Sequence, residues 1–220
     1  MEEAAYRQNG ALYSLKEDIA NAVTHAIGAV AAIIGTAILL AISIRQIDSF
    51  KIASAVIYGF GLITLFTMSS LYHAITNQSV KKVFQKFDHT SISLLIAGSY
   101  TPYTLVLLRG SVMGWIIFGL VWGLCIMNIV LKSISISRFD KISMACYFLS
   151  GWIIVFAFPA ILKNIELGGL ILLIAGGVAY TGGIYFYSKA KIYYMHTVWH
   201  FFVLLGAILH YFSVLYYVFI

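Results

Sequence analysis

Seven apolar stretches, each long enough to cross a bilayer, take up most of this chain, and they constrain its fold more than any other feature. They fall at 19–44, 52–75, 88–108, 112–131, 142–162, 167–187 and 195–219. A transmembrane helix needs about 20 predominantly apolar residues, and a lone segment bathed in lipid can satisfy its backbone only as a helix. The 220 residues are 61% hydrophobic and 10% charged, more apolar than one water-soluble core of this size can hide. The sequence therefore predicts an all-α integral membrane protein. It reads as one domain over 1–220, a seven-transmembrane-helix bundle behind a short cytoplasmic N-terminal segment, 1–18. A soluble enzyme domain, a DNA-binding module and a large extracellular head are excluded.

The separators are short, and their charges orient the chain. Arg7, Lys16, Lys81, Lys82, Lys86, Lys132, Arg138, Lys141, Lys189 and Lys191 fall on the N-terminal side, ten of the 14 basic residues; Arg45, Lys51, Arg109 and Lys163 fall opposite. By the positive-inside rule the N-terminus is cytoplasmic and Ile220 extracytoplasmic. The net charge of +6 is then a property of loops and needs no nucleic-acid partner. Residues 1–18 are polar and of mixed charge, unlike a cleavable signal. Cys125 and Cys146 lie in apolar surroundings without metal spacing and read as small core residues. Gly28/Gly35, Gly119/Gly123, Gly168/Gly169, Gly176/Gly177 and Gly182/Gly183 predict close approach between helices. Pro102 and Pro159, inside spans three and five, predict bends.

Ionisable groups inside a membrane are costly, so each is a candidate for function. In the alternating topology His25, His73, Asp88, His196 and His200 all come to the cytoplasmic ends of their spans, with Asp88 in the first turn of span three. His196 and His200, four residues apart, share one helix face, as two ligands of one metal require. His73 supplies a third nitrogen at matching depth. Three His with an open fourth position is the catalytic form of a zinc site. Ser69 lies one turn from His73 on the same face, and Asp88 reads as the sole embedded carboxylate, available to a metal-bound water or an imidazole. An i,i+4 His pair alone is weak; the matched depth, the Asp and the Ser carry the assignment. His210 lies about 15 Å further along span seven and reads as a packing or interfacial His. His89 reads as structural, His25 as either site support or packing, and Glu17 and Asp18 as charges at a helix N-terminus.

The stretches Glu17-Asp18-Ile19-Ala20-Asn21-Ala22-Val23-Thr24-His25, Ser69-Ser70-Leu71-Tyr72-His73, Phe87-Asp88-His89-Thr90 and His196-Thr197-Val198-Trp199-His200 resemble those of bacterial hemolysin III proteins. These are similar to the progestin and adipoQ receptors, adiponectin receptors included, and more distantly to alkaline ceramidases. The resemblance runs from span one through span seven. It implies a multi-pass protein of the bacterial cell (inner) membrane, Zn2+ held by His73, His196 and His200, and Asp88 and Ser69 beside the metal-bound water. Three functions follow as expectations. The first is a zinc-dependent intramembrane hydrolase of lipid amide bonds, its substrate reaching the site from the inner leaflet, with Asp88 as general base and Ser69 as oxyanion donor. The second is a membrane-active cytolysin, or hemolysin. The third is a non-catalytic membrane-homeostasis sensor with structural zinc. The expected partners are the bilayer and a lipid amide substrate, with no nucleic acid and no other cofactor.

Overall fold

The computed structural model describes residues 13–190 and 192–220; the assignments made to Met1, Arg7 and Lys191 lie outside them. Eight α-helices follow in chain order: α1 Leu15–Arg45, α2 Ser49–Ala74, α3 Gln78–Pro102, α4 Val112–Ile134, α5 Asp140–Trp152, α6 Phe158–Asn164, α7 Leu167–Ser188 and α8 Met195–Val214. Among the described residues, six segments are long and apolar enough to cross a membrane: α1, α2, α4, α5 with α6 as Asp140–Asn164, α7, and α8 with its tail as Met195–Phe219. These make the chain a multi-pass membrane protein.

Helix starts are set locally. Ser14 caps α1 in a reciprocal box: its Oγ accepts from the Glu17 N–H at 3.2 Å, and a Glu17 carboxylate oxygen accepts from the Ser14 N–H at 3.0 Å. The Asp48 carboxylate accepts from the N–H groups of Phe50 and Lys51, and Asn77 Oδ1 from those of Ser79 and Val80; each satisfies donors that a first turn leaves free. Both prolines mark breaks. Pro102 ends α3 and leads into a π-helical turn, Tyr103–Leu107. Pro159 enters α6 directly after a 3-10 stretch, Ile153–Ala157. The fifth apolar segment is therefore bent, because a proline interrupts the regular ladder.

α1, α2, α3 and α4 pack in sequence, α7 packs on α8, and α8 returns to α1. α3 is the polar helix of the set and carries Lys81, Lys82, Lys86 and Asp88. It lies between α2 and α4 with α5 also against it, and Ser91, Ser93, Ala97, Gly98, Ser99 and Thr101 are buried. Enclosure by neighbouring helices gives these polar residues partners that an apolar surrounding would not. Its approach to α2 is close: a Cβ on Gly61 would sit 2.7 Å from the Leu94 carbonyl oxygen. Outward faces are apolar, as along α1 at Ile19, Val23, Ile27 and Val30, each more than half exposed.

Gly119 and Gly123 depart from expectation. A Cβ at either would meet nothing within 4 Å, so this pair faces away from the bundle. α7 does not pack broadly on the α5–α6 segment that precedes it. Between them opens a cavity of about 450 Å³, walled by Ile92, Ile96, Met144, Val155, Ile174 and Val203, with Tyr187 and Trp199 towards one end and His210 towards the other.

Candidate metal centre

α2 brings His73, and α8 brings His196 and His200, to one point where a potential ligand atom from each lies within 4.8 Å of the others, all three residues buried. The helical repeat decides the pair: one turn apart on α8, the two imidazoles turn their Nε2 atoms to within 3.2 Å of each other. Two nitrogens bound to one tetrahedral zinc at 2.0–2.1 Å are themselves about 3.3 Å apart. The Nε2 of His73 is buried without a hydrogen-bond partner, a condition that buried polar atoms rarely tolerate. A borderline cation that prefers neutral imidazoles fits this all-nitrogen donor set. Cys125 and Cys146 are free and buried elsewhere, in α4 and α5.

His73 is held from behind. Its Nδ1 lies 2.7 Å from Asp18 Oδ1, and Lys81 Nζ lies 2.6 Å from Asp18 Oδ2. A carboxylate only accepts, so the imidazole donates from Nδ1 and keeps the Nε2 lone pair for a ligand. A carboxylate behind a ligating imidazole in this way fixes tautomer and ring orientation and raises basicity. Asp18 and Glu17 do lie in the first turn of α1, as expected, and they have further partners besides. Asp18 is 2% and Glu17 3% exposed, and the Glu17 carboxylate reaches across the fold to accept from the Tyr194 N–H at 2.7 Å. Asp88 is therefore one of three carboxylates that the protein buries among the described residues.

α1 contributes more than was anticipated. His25 stacks on His200, ring centroids 3.7 Å apart and planes at 16°, which places it in support of the site. Asn21 Oδ1 accepts from the Thr197 hydroxyl at 2.6 Å and ties α1 to the first turns of α8. Tyr13 stacks on His196 at 4.5 Å and lies 5.5 Å from His73; burial pushes its phenol above the usual range. A signal for this was present. Asp18, Asn21, His25, Gly28, Ala32, Gly35 and Leu39 form a buried stripe at three- and four-residue spacing, so the polar residues at its start had to face the bundle.

Ser69, one turn from His73, is fully buried and its Oγ has no partner. Asp88 is 5% exposed and lies within electrostatic range of Tyr13 and Tyr72. It sits ten residues into α3, about three turns from the start, and not in the first turn as its span had suggested; the helix begins earlier because Asn77 caps it. The His89 backbone carbonyl accepts from the Tyr147 hydroxyl at 2.6 Å. His210 stands outside the three-histidine group, its Nε2 at 3.1 Å from the Leu173 carbonyl.

Residues 13–211 match the sequence pattern of a family described as Haemolysin-III related. Hemolysin-3 of Bacillus cereus is 39% identical over 204 residues, 93% of each chain. Hemolysin-3 homolog of Bacillus subtilis (strain 168) is 35% identical over 206 residues, 94% of this chain and 96% of the relative. Monocyte to macrophage differentiation factor of Homo sapiens is 29% identical over 207 residues, 90% of this chain and 83% of the relative.

Proposed function

The chain belongs to the haemolysin-III related family, and from that premise we propose that it is a zinc-dependent intramembrane hydrolase of lipid amide bonds, with the metal held by His73, His196 and His200. The observation that carries this reading is the convergence of three buried imidazoles from two helices, one of them oriented by Asp18, beside an apolar cavity. Trp199, which lines the cavity, packs 4.9 Å from His196 and 5.2 Å from His200. An apolar chain in the cavity would bring its polar end to the histidines.

Held by these three histidines, zinc would supply a Lewis acid that makes water a nucleophile near neutral pH and polarises a carbonyl. The Asp88 carboxylate takes a proton from the attacking water and returns it to the leaving nitrogen. The unpartnered Ser69 Oγ–H donates to the carbonyl oxygen as charge builds there. Asp18 and Lys81 hold His73, and His25 and Tyr13 cover faces of His200 and His196 and keep bulk water out.

In this reading α3 also crosses the membrane, completing seven spans, with the Leu15 end of α1 cytoplasmic and Ile220 outside the bacterial inner membrane. The basic residues at the site end of the bundle support that orientation, and the substrate then arrives from the inner leaflet. A membrane-lytic activity, which the names of the two Bacillus relatives carry, would need a continuous polar path; the cavity wall is apolar.

The test is metal analysis of the purified protein together with fatty-acid release from N-acyl lipids in bilayers. One zinc per chain is expected, lost in His73→Ala, His196→Ala or His200→Ala and retained in His210→Ala. A zinc-loaded protein that releases no fatty acid from any N-acyl lipid refutes the hydrolase reading; equal zinc loss from His210→Ala refutes the ligand set.

A further inference from the structure

A second polar cluster lies at the end of the cavity remote from the three histidines. α8 carries His210 ten residues beyond His200, about 15 Å along the helix axis. Its Nε2 lies 3.1 Å from the Leu173 carbonyl oxygen. A carbonyl only accepts, so that nitrogen carries the proton and Nδ1 is left as a lone-pair acceptor. His210 Nδ1 is buried without a partner, as are the hydroxyls of Tyr58 and Tyr180, while the Tyr103 hydroxyl has Ser213 beside it.

These groups belong together. Tyr103, Tyr180 and His210 line the same cavity, the rings of Tyr180 and His210 are 5.3 Å apart, and the phenols of Tyr58, Tyr103 and Tyr180 lie within electrostatic range of one another. Two glycines make room for them. A Cβ on Gly176 would collide with the His210 ring, and one on Gly206 would come within 2.9 Å of the Tyr180 ring. Buried polar atoms are nearly always paired. The Tyr180 hydroxyl and His210 Nδ1, unpaired at one end of an apolar cavity with Tyr103 beside them, form the arrangement that orients a small apolar ligand through a few polar groups.

The donor and acceptor inventory selects the ligand. The Tyr180 phenol donates, and one imidazole nitrogen accepts. A hydroxyl can take the phenol proton on its oxygen and give its own proton to His210 Nδ1. A carboxylate has no proton for that nitrogen, and its charge would be stranded at depth with no cation in the cluster. A pure hydrocarbon would leave both groups unpaired.

We propose that this end of the cavity is a second binding site, separate from the metal centre, for an apolar molecule that bears a neutral hydroxyl group. The cavity of about 450 Å³ lies within the range of small-ligand sites, and its aliphatic wall takes the apolar body.

The test uses the full chain in lipid nanodiscs, with radiolabelled dodecan-1-ol as probe and unlabelled dodecan-1-ol, dodecane and dodecanoate as competitors. Dodecan-1-ol should compete about tenfold better than dodecane, the worth of roughly one net hydrogen bond, and better than dodecanoate. In Tyr180→Phe and in His210→Leu that preference should largely vanish. Without probe the tyrosine variant should melt no lower than wild type, since it loses only an unpaired hydroxyl; a structural role for it would lower it. Should His210→Leu not fold, the tyrosine variant carries the test. The preference should survive in His196→Ala/His200→Ala, which separates this site from the hydrolase reading. Equal competition by dodecane, stronger competition by dodecanoate, an unchanged preference in the tyrosine variant, or loss of the preference with the metal histidines would each overturn the proposal.

Discussion

Replacing Asp18 probes the metal centre from behind without touching a ligand. Its carboxylate oxygens lie 2.7 Å from His73 Nδ1 and 2.6 Å from Lys81 Nζ, and both side chains of the His73–Asp18 pair are almost completely buried. Loss of a group that orients a metal-bound imidazole lowers affinity about 10–100-fold, or roughly 1.4–2.7 kcal/mol. Asp18→Asn keeps an oxygen that can accept from His73, so it should fall near the tenfold end; Asp18→Ala should approach a hundredfold. Stability should fall too, because Lys81 loses its 2.6 Å carboxylate partner, and breaking a buried pair from one side costs about 3–5 kcal/mol. Adding Lys81→Met to Asp18→Asn removes the cation that has lost this carboxylate. That double variant should recover most of the melting temperature and none of the zinc affinity. The assay is zinc competition against a chromophoric chelator, run beside thermal unfolding. Zinc affinity within twofold of wild type in Asp18→Ala, or affinity that recovers together with stability in the double variant, would refute the orienting role.

Asp88→Asn should keep zinc bound and lower amide hydrolysis by roughly 10²–10⁴-fold, the usual contribution of a general base; release of fatty acid at the wild-type rate would dismiss Asp88 from the chemistry. Ser69→Ala should cost at most about 10²–10³-fold, as one oxyanion donor, with zinc content unchanged. Single cysteines at Ser79, in the first turn of α3, and at Arg109, beyond its end, should react with an impermeant thiol reagent from opposite sides of the membrane; labelling of both from one side would show that α3 does not cross. Asp48 gives a pH-dependent cap: burial raises its carboxyl, but the Lys51 and Phe50 N–H groups and then Arg109 outweigh this and hold it below the usual range. A depressed carboxyl adds stability above its unfolded pKa, near about 3.9, and loses it as pH falls through the folded value. The melting-point loss in Asp48→Ala, for a cap worth about 1 kcal/mol, should therefore shrink between pH 6 and pH 3.

Local rules made much of this protein legible from its sequence. Helix identity follows from apolar composition and backbone satisfaction, and helix starts from Ser14, Asp48 and Asn77. His196 and His200 fall on one face because the α-helical repeat leaves no alternative, and His73, near the C-terminal end of α2, meets them at the N-terminal end of α8. Pro102 and Pro159 announced their breaks. Other features depended on partners far away in the chain. Asp18 meets His73 across 55 residues, and Thr197 meets Asn21 across 176. The polar stripe of α1 shows that these side chains turn inward, but which groups they meet depends on the order of helices around the bundle. The same order encloses α3 and lets it be polar, turns Gly119 and Gly123 outward, and leaves the cavity between α5–α6 and α7. The reason is physical. Hydrogen bonds along one helix are settled within four residues, whereas lipid supplies no hydrophobic force that tells one apolar face from another, so the choice of neighbours is made by packing and by buried polar pairs that exist only once the bundle is assembled.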